Sequence, residues 1–226
     1  LHVPPEAQPD NPQPAVVVTH GISSTKEMVD GIALELTRRG IVALSVDLHG
    51  HGDSEGRLYT GDPSLGLEAA VEFIKSQEYV DPTLIGVAGH SLGAGAAKAV
   101  ATSSDIHATA FIAGGVSGDY QQEGSLTTPN PKNLLVAVGK HDVLFKIESL
   151  TTDLQPVFGL DVPVEPGVTY GNLRSGDARR LAVTPTTHLF EPMDTRTVGE
   201  VVAWFVEAFD VPSGRDLPVW DQVFLK

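Results

Sequence analysis

The chain has 226 residues, a formal net charge of −14, no cysteine, and 19% charged residues. That length holds one full core, so a single domain over residues 1–226 is expected. The acidity argues against nucleic acid or an anionic membrane as a partner, the missing cysteine excludes disulfides, thiolate metal sites and a cysteine nucleophile, and no apolar run approaches the roughly 18 residues that cross a bilayer.

Residues 1–14 contain Pro4, Pro5, Pro9, Pro12 and Pro14, which remove backbone donors and read as an extended lead-in. The β-branched run from Ala15 to Thr19 is predicted to be a strand buried on both faces. The spacing of Met28, Val29, Ile32, Ala33 and Leu36 predicts a helix over 26–39, stopped by Gly40. A second unit follows, with a strand over 41–46 and a helix whose stripe is Leu67, Ala70, Val71 and Ile74. A third strand over 84–88 runs into a helix of small residues up to Val100. Strands are predicted at 108–113 and 134–138, then a helix with Val143, Ile147, Leu150 and Leu154 on one face. Residues 169–183, turning at Ser175-Gly176-Asp177, read as a hairpin feeding a last strand. Val198, Val201, Val202, Phe205 and Phe209 mark a final helix, and 210–226 form a tail. Alternating strands and helices imply a mostly parallel sheet with helices on both faces, whose ligands bind beyond the carboxyl ends of the strands.

One stretch organises this pattern. Gly89-His90-Ser91-Leu92-Gly93 puts a serine between two glycines where a strand passes into a helix, the layout of a nucleophile elbow. Around it lie His20-Gly21, the loop Asp47-Leu48-His49-Gly50-His51-Gly52-Asp53-Ser54, Gly139-Lys140-His141-Asp142 and Thr187-His188. On these residues the chain, from about Ala15 to Phe209, resembles α/β-hydrolase-fold serine hydrolases of the dienelactone-hydrolase-like and esterase- or peptidase-like branches. Two departures stand out. The upstream chain is too short for both antiparallel strands that usually precede the first unit, and 116–133, where many relatives carry a helical lid, reads as a loop and implies an open cleft.

The resemblance implies a catalytic set of Ser91 as nucleophile, Asp142 as acid and His188 as base. A free hydroxyl is a poor nucleophile and needs a base within hydrogen-bond reach. Of the eight histidines only His188 follows the acid, as the chain order of the fold requires. Glu148 and Asp161 are the fallback acids, and Asp47 reads as a structural loop residue. The family pattern puts the two backbone oxyanion donors on Ile22 and Leu92. His49 and His51 with Asp47 or Asp53 could ligate zinc, but a glycine-rich turn beside the site explains them as well. No G-x-G-x-x-G opens the first helix, so no dinucleotide, and no cofactor at all, is expected.

The resulting expectation is a serine hydrolase that cuts an ester, thioester or amide of a small-molecule or peptide acyl substrate. The competing expectation is a non-catalytic sensing or binding domain of a larger, membrane-attached protein. The first residue is Leu1, and the apolar end 219–226 has no cap. Both features lead us to expect a processed or excised piece of something longer.

Overall fold

A computed structural model describes residues 1–58, 61–114, 116, 126–127, 130–212 and 217–220. The strands are β1 (Gln13–Thr19), β2 (Val42–Val46), β3 (Val80–His90), β4 (Ala108–Ile112), β5 (Leu134–Gly139), β6 (Thr169–Tyr170) and β7 (Arg179–Thr184). The helices are α1 (Asp30–Arg38), α2 (Leu67–Lys75), α3 (Leu92–Ser103), α4 (Ile147–Asp153), α5 (Gln155–Phe158) and α6 (Thr195–Ala208), with 3-10 turns at Lys26–Met28, Leu173–Ser175 and His188–Met193.

The strands form one sheet in the order β2-β1-β3-β4-β5-β7-β6, parallel throughout except for the β6–β7 pair. The expected hairpin is short: only Thr169 and Tyr170 pair back, against Arg180 and Arg179. The central strands are apolar on both faces because both are covered. Val17, Val87, Phe111 and Val136 face one core with α2 and α3, while Val16, Ala88, Ile112 and Ala137 face the other with α1 and α6. Gly86 lets α6 approach β3, since a Cβ there would lie 2.5 Å from the Phe205 ring.

Two helices begin later than their spacing predicts. The first opens as the 3-10 turn Lys26–Met28 and becomes α-helical only at Asp30, because Lys26 is bonded to Asp47 through both its backbone N–H, at 2.7 Å, and its ammonium, at 2.6 Å. After β5 the chain turns before α4 can start. Asp142 Oδ1 accepts the N–H groups of Leu144 and Phe145 at 2.7 and 3.0 Å, which leaves Val143 79% exposed instead of on the buried face.

Upstream of β1, His2 makes a two-bond antiparallel bridge with Ala43 on the outer side of β2, and its ring lies 2.7 Å from Asp30 Oδ1. Of the tail, residues 217–220 rest on α1. Trp220 N–H bonds buried Glu35 at 3.0 Å, the Arg38 guanidinium stacks 3.6 Å over the Trp220 ring, and Arg39 donates to the Leu217 carbonyl. The segment 116–133, expected to be a lidless loop, lies largely outside the described residues, as do residues 213–216 and 221–226. No described helix is long and apolar enough to cross a membrane.

Candidate active site

Ser91 sits at the junction of β3 and α3 with φ 53° and ψ −112°, a conformation that non-glycine residues avoid and that projects the side chain out of the turn. The flanking glycines are required by their neighbours. A Cβ on Gly89 would strike the Gly93 carbonyl, and one on Gly93 would lie 2.5 Å from the His20 carbonyl.

The three side chains singled out from the sequence come together. Ser91 Oγ is 3.0 Å from His188 Nε2, and His188 Nδ1 is 2.8 Å from Asp142 Oδ2. With a carboxylate at Nδ1, the proton resides there and Nε2 is left to accept from the serine hydroxyl. Asp142 is buried, and its other oxygen is fixed by the Leu144 and Phe145 N–H groups, so the carboxylate is held by its own turn. Among the described contacts, neither Glu148 nor Asp161 bonds His188. The Phe145 ring stacks on the imidazole at 5.8 Å between centroids.

The loop after β1 closes on the serine. A Cβ on Gly21 would lie 3.2 Å from Ser91 Cβ and 2.9 Å from His90 Nδ1. Buried His20 shapes this loop, with Nδ1 donating to the Gly21 carbonyl at 2.7 Å and Nε2 accepting from Leu48 N–H at 3.1 Å. With Nε2 accepting, the ring must be neutral and carry its proton on Nδ1, and burial pushes the His20 pKa below its ordinary value. His51 Nε2 accepts from Ser23 N–H at 3.3 Å and so braces the same loop. The backbone N–H groups of Ile22 and Leu92 make no hydrogen bond among the described residues.

The alternative metal ligands are otherwise engaged. Asp47 and Asp53 share the Lys26 ammonium, at 2.6 and 2.8 Å, and His51 bridges Ser23 and the His49 carbonyl. Among the described residues, the cluster that brings three ligating atoms within 4.8 Å is His90, His188 and Glu191.

Sequence reasoning missed two members of this neighbourhood. His90 is buried and its Nε2–H donates to the His188 carbonyl at 2.9 Å; burial and the adjacent His188 push its pKa down to about 4. Glu191 is fully buried, and its Oε1 accepts the Gly139 N–H at 2.5 Å. Burial, together with the charge of Asp142, pushes its carboxyl up to about 8, against the pull of the Gly139 bond. The signal available was an acid within the otherwise apolar Leu189-Phe190-Glu191-Pro192-Met193.

With this geometry in place, comparison with known proteins is informative. The model of the family described as serine aminopeptidase, S33, matches residues 10–148. The chain belongs to that family. It has the α/β-hydrolase fold. Solved structures agree on the fold: an esterase of Pyrococcus furiosus superposes with TM-score 0.65 at 18% identity over 89% of this chain and 85% of that one. An esterase of Thermogutta terrifontis gives 0.66 at 15% over 91% and 86%, and a dienelactone hydrolase homologue of Klebsiella pneumoniae gives 0.61 at 16% over 88% of each. By sequence, an uncharacterized protein of Mycobacterium tuberculosis is 34% identical over 88 residues, 39% of this chain and 31% of that protein. A polyketide transferase of Stachybotrys chlorohalonatus is 33% identical over 113 residues, 47% of this chain and 37% of that one. The chain thus spans about a third of the length of the curated relatives it matches.

Proposed function

We propose that this hydrolase cleaves an ester, thioester or amide through an acyl-enzyme on Ser91, with His188 as general base and acid and Asp142 orienting the imidazole. The observation that carries this reading is the continuous line from Ser91 Oγ to His188 Nε2, at 3.0 Å, and from His188 Nδ1 to Asp142 Oδ2, at 2.8 Å. His188 takes the hydroxyl proton as Ser91 Oγ bonds to the acyl carbon. The carbonyl electron pair moves onto oxygen, and the Ile22 and Leu92 N–H groups receive that oxyanion. The tetrahedral adduct collapses as His188 Nε2–H protonates the leaving oxygen, sulfur or nitrogen. Water, deprotonated by the same nitrogen, then cleaves the seryl ester and returns the enzyme.

The surroundings favour an acyl group with apolar character. Ile22, Val143, Leu144, Leu189 and Phe190 are more than half exposed, and each directly follows or lies within two residues of Gly21, Asp142 or His188. Apolar side chains left in water beside a reactive serine suit the tail of an acyl substrate. This favours carboxylester substrates over charged peptides. The test is labelling by a fluorophosphonate probe together with a series of p-nitrophenyl esters of increasing chain length. We expect labelling that Ser91→Ala removes, and kcat/KM that rises from acetate to medium-chain esters. A natively folded protein that takes no label overturns the reading and favours a binding domain.

A further inference from the structure

Three chain segments converge on the serine: the end of β3 with His90 and Ser91, the loop after β5 with Asp142, and the segment after β7 with His188. Two buried side chains cross-link them from beneath. His90, adjacent to the serine, is bonded to the backbone of His188. Glu191, three residues beyond His188, is bonded to the backbone of Gly139, three residues before Asp142. The segments are packed so closely that a Cβ on Gly139 would lie 2.5 Å from the Thr186 carbonyl and 2.8 Å from Glu191 Oε1.

We propose that Glu191 is a positioning residue that fixes the loop carrying Asp142 against the segment carrying His188, and that it acts as a neutral carboxylic acid. The inference rests on the acyl-enzyme reading of Ser91, Asp142 and His188. Two considerations point to the neutral form. Glu191 Oε2 has no hydrogen-bond partner among the described residues, although it is fully enclosed. An ionised carboxylate there would be a second negative charge facing Asp142, with no lysine or arginine paired to it among the described residues. The titratable groups that face it are Asp142, on the loop after β5, His90, at the end of β3, whose Nε2 lies 3.7 Å from Oε2, and His188, which has a ring nitrogen within 4.8 Å of the carboxyl. His90 supplies no positive charge, because burial and the adjacent His188 keep its ring neutral while its Nε2–H donates to the His188 carbonyl. A protonated Glu191 instead leaves Asp142 as the one negative charge beneath the imidazole and keeps that charge directed at His188 Nδ1.

The test compares wild type, Glu191→Gln and Glu191→Leu by p-nitrophenyl ester hydrolysis from pH 6 to 10, with fluorophosphonate labelling of each. Glutamine keeps the Gly139 bond and cannot ionise. It is expected to hold kcat at pH 7 within about threefold of wild type, whereas leucine loses about 10- to 100-fold in kcat with little change in KM, the range for residues that orient a reacting group. The wild-type kcat/KM is expected to fall above about pH 8, and that basic limb is expected to move to higher pH in Glu191→Gln. A merely structural role would not move the limb. A limb unchanged in Glu191→Gln overturns the proposal, as does a folded Glu191→Leu with wild-type kcat. Should Glu191→Leu fail to fold, the Glu191→Gln profile decides alone. Loss of the proposal in this way leaves Ser91 labelling intact, whereas failure of the acyl-enzyme reading removes labelling from wild type itself.

Discussion

His90 Nε2 lies 2.9 Å from the carbonyl oxygen of His188, so the residue beside the serine holds the backbone of the histidine that the serine faces. Ser91 and His188 are 97 residues apart in the chain, and the 3.0 Å contact between them therefore depends on bonds made beneath the surface as much as on the two side chains.

Asp142→Asn should test the tautomer argument directly. The amide would present an N–H or a weaker acceptor to Nδ1, leaving the His188 proton on Nε2, where it cannot receive the serine proton. A loss of about 10³- to 10⁴-fold in kcat is expected with unchanged far-UV circular dichroism. Retention of a tenth of the wild-type rate would move the acid role to another residue.

Gly21→Ala addresses the proposed oxyanion donors, where side-chain deletion is impossible. Its Cβ would lie 2.9 Å from His90 Nδ1 and 3.2 Å from Ser91 Cβ, so the loop must withdraw from the serine. The expected outcome is a kcat reduced about 10²- to 10³-fold, the usual consequence of losing one donor, with a melting temperature close to wild type. Wild-type kcat in this variant would place the donors elsewhere.

The buried pair beneath the site also sets a pH dependence of stability. Glu191 titrates near 8 in the folded protein against 4.5 for an ordinary glutamate, so between those values the folded state keeps a proton the unfolded chain has released. Stability from this group therefore declines as pH rises from about 4.5 to 8. His90 acts at the acid end: its folded value of about 4 lies below the ordinary 6.5, so its contribution rises with pH across that interval. Differential scanning calorimetry of Glu191→Gln against wild type should show a melting-temperature advantage that grows from pH 5 to pH 8. A constant difference would contradict the assignment.

Lys26 and Asp47 should govern acid tolerance away from the site. Burial pushes the Asp47 carboxyl up, but bonds from the Lys26 ammonium and from the Asp53 and Lys26 N–H groups outweigh it and hold the carboxyl below its usual range. A depressed carboxylate stabilises the fold above about pH 4 and loses that contribution as pH falls through its folded pKa. Lys26→Met should therefore raise the pH midpoint of acid unfolding, measured by tryptophan fluorescence. An unmoved midpoint would show that the ion pair contributes nothing there.

The parallel strands were legible because burial on both faces leaves unbroken runs such as Val16-Val17-Val18, and the elbow was legible because its glycines answer to backbone contacts a few residues away. The late start of α4 was not, since apolar spacing placed Val143 inward while two bonds from Asp142 turn the chain first. Glu191 shows the deeper limit. Its burial is tolerable only because Gly139, 52 residues away, supplies a donor, and no local pattern carries that information.

Both His2 and Trp220 rest on α1, one through Asp30 and the other through Glu35, the latter across a separation of 185 residues. Early and late parts of the chain thus converge on one patch. Closing so long a loop costs entropy before any contact rewards it, and contacts of this kind slow folding. The Trp220–Glu35 bond and the stacking of Arg38 on the Trp220 ring are the contacts that offset this closure entropy.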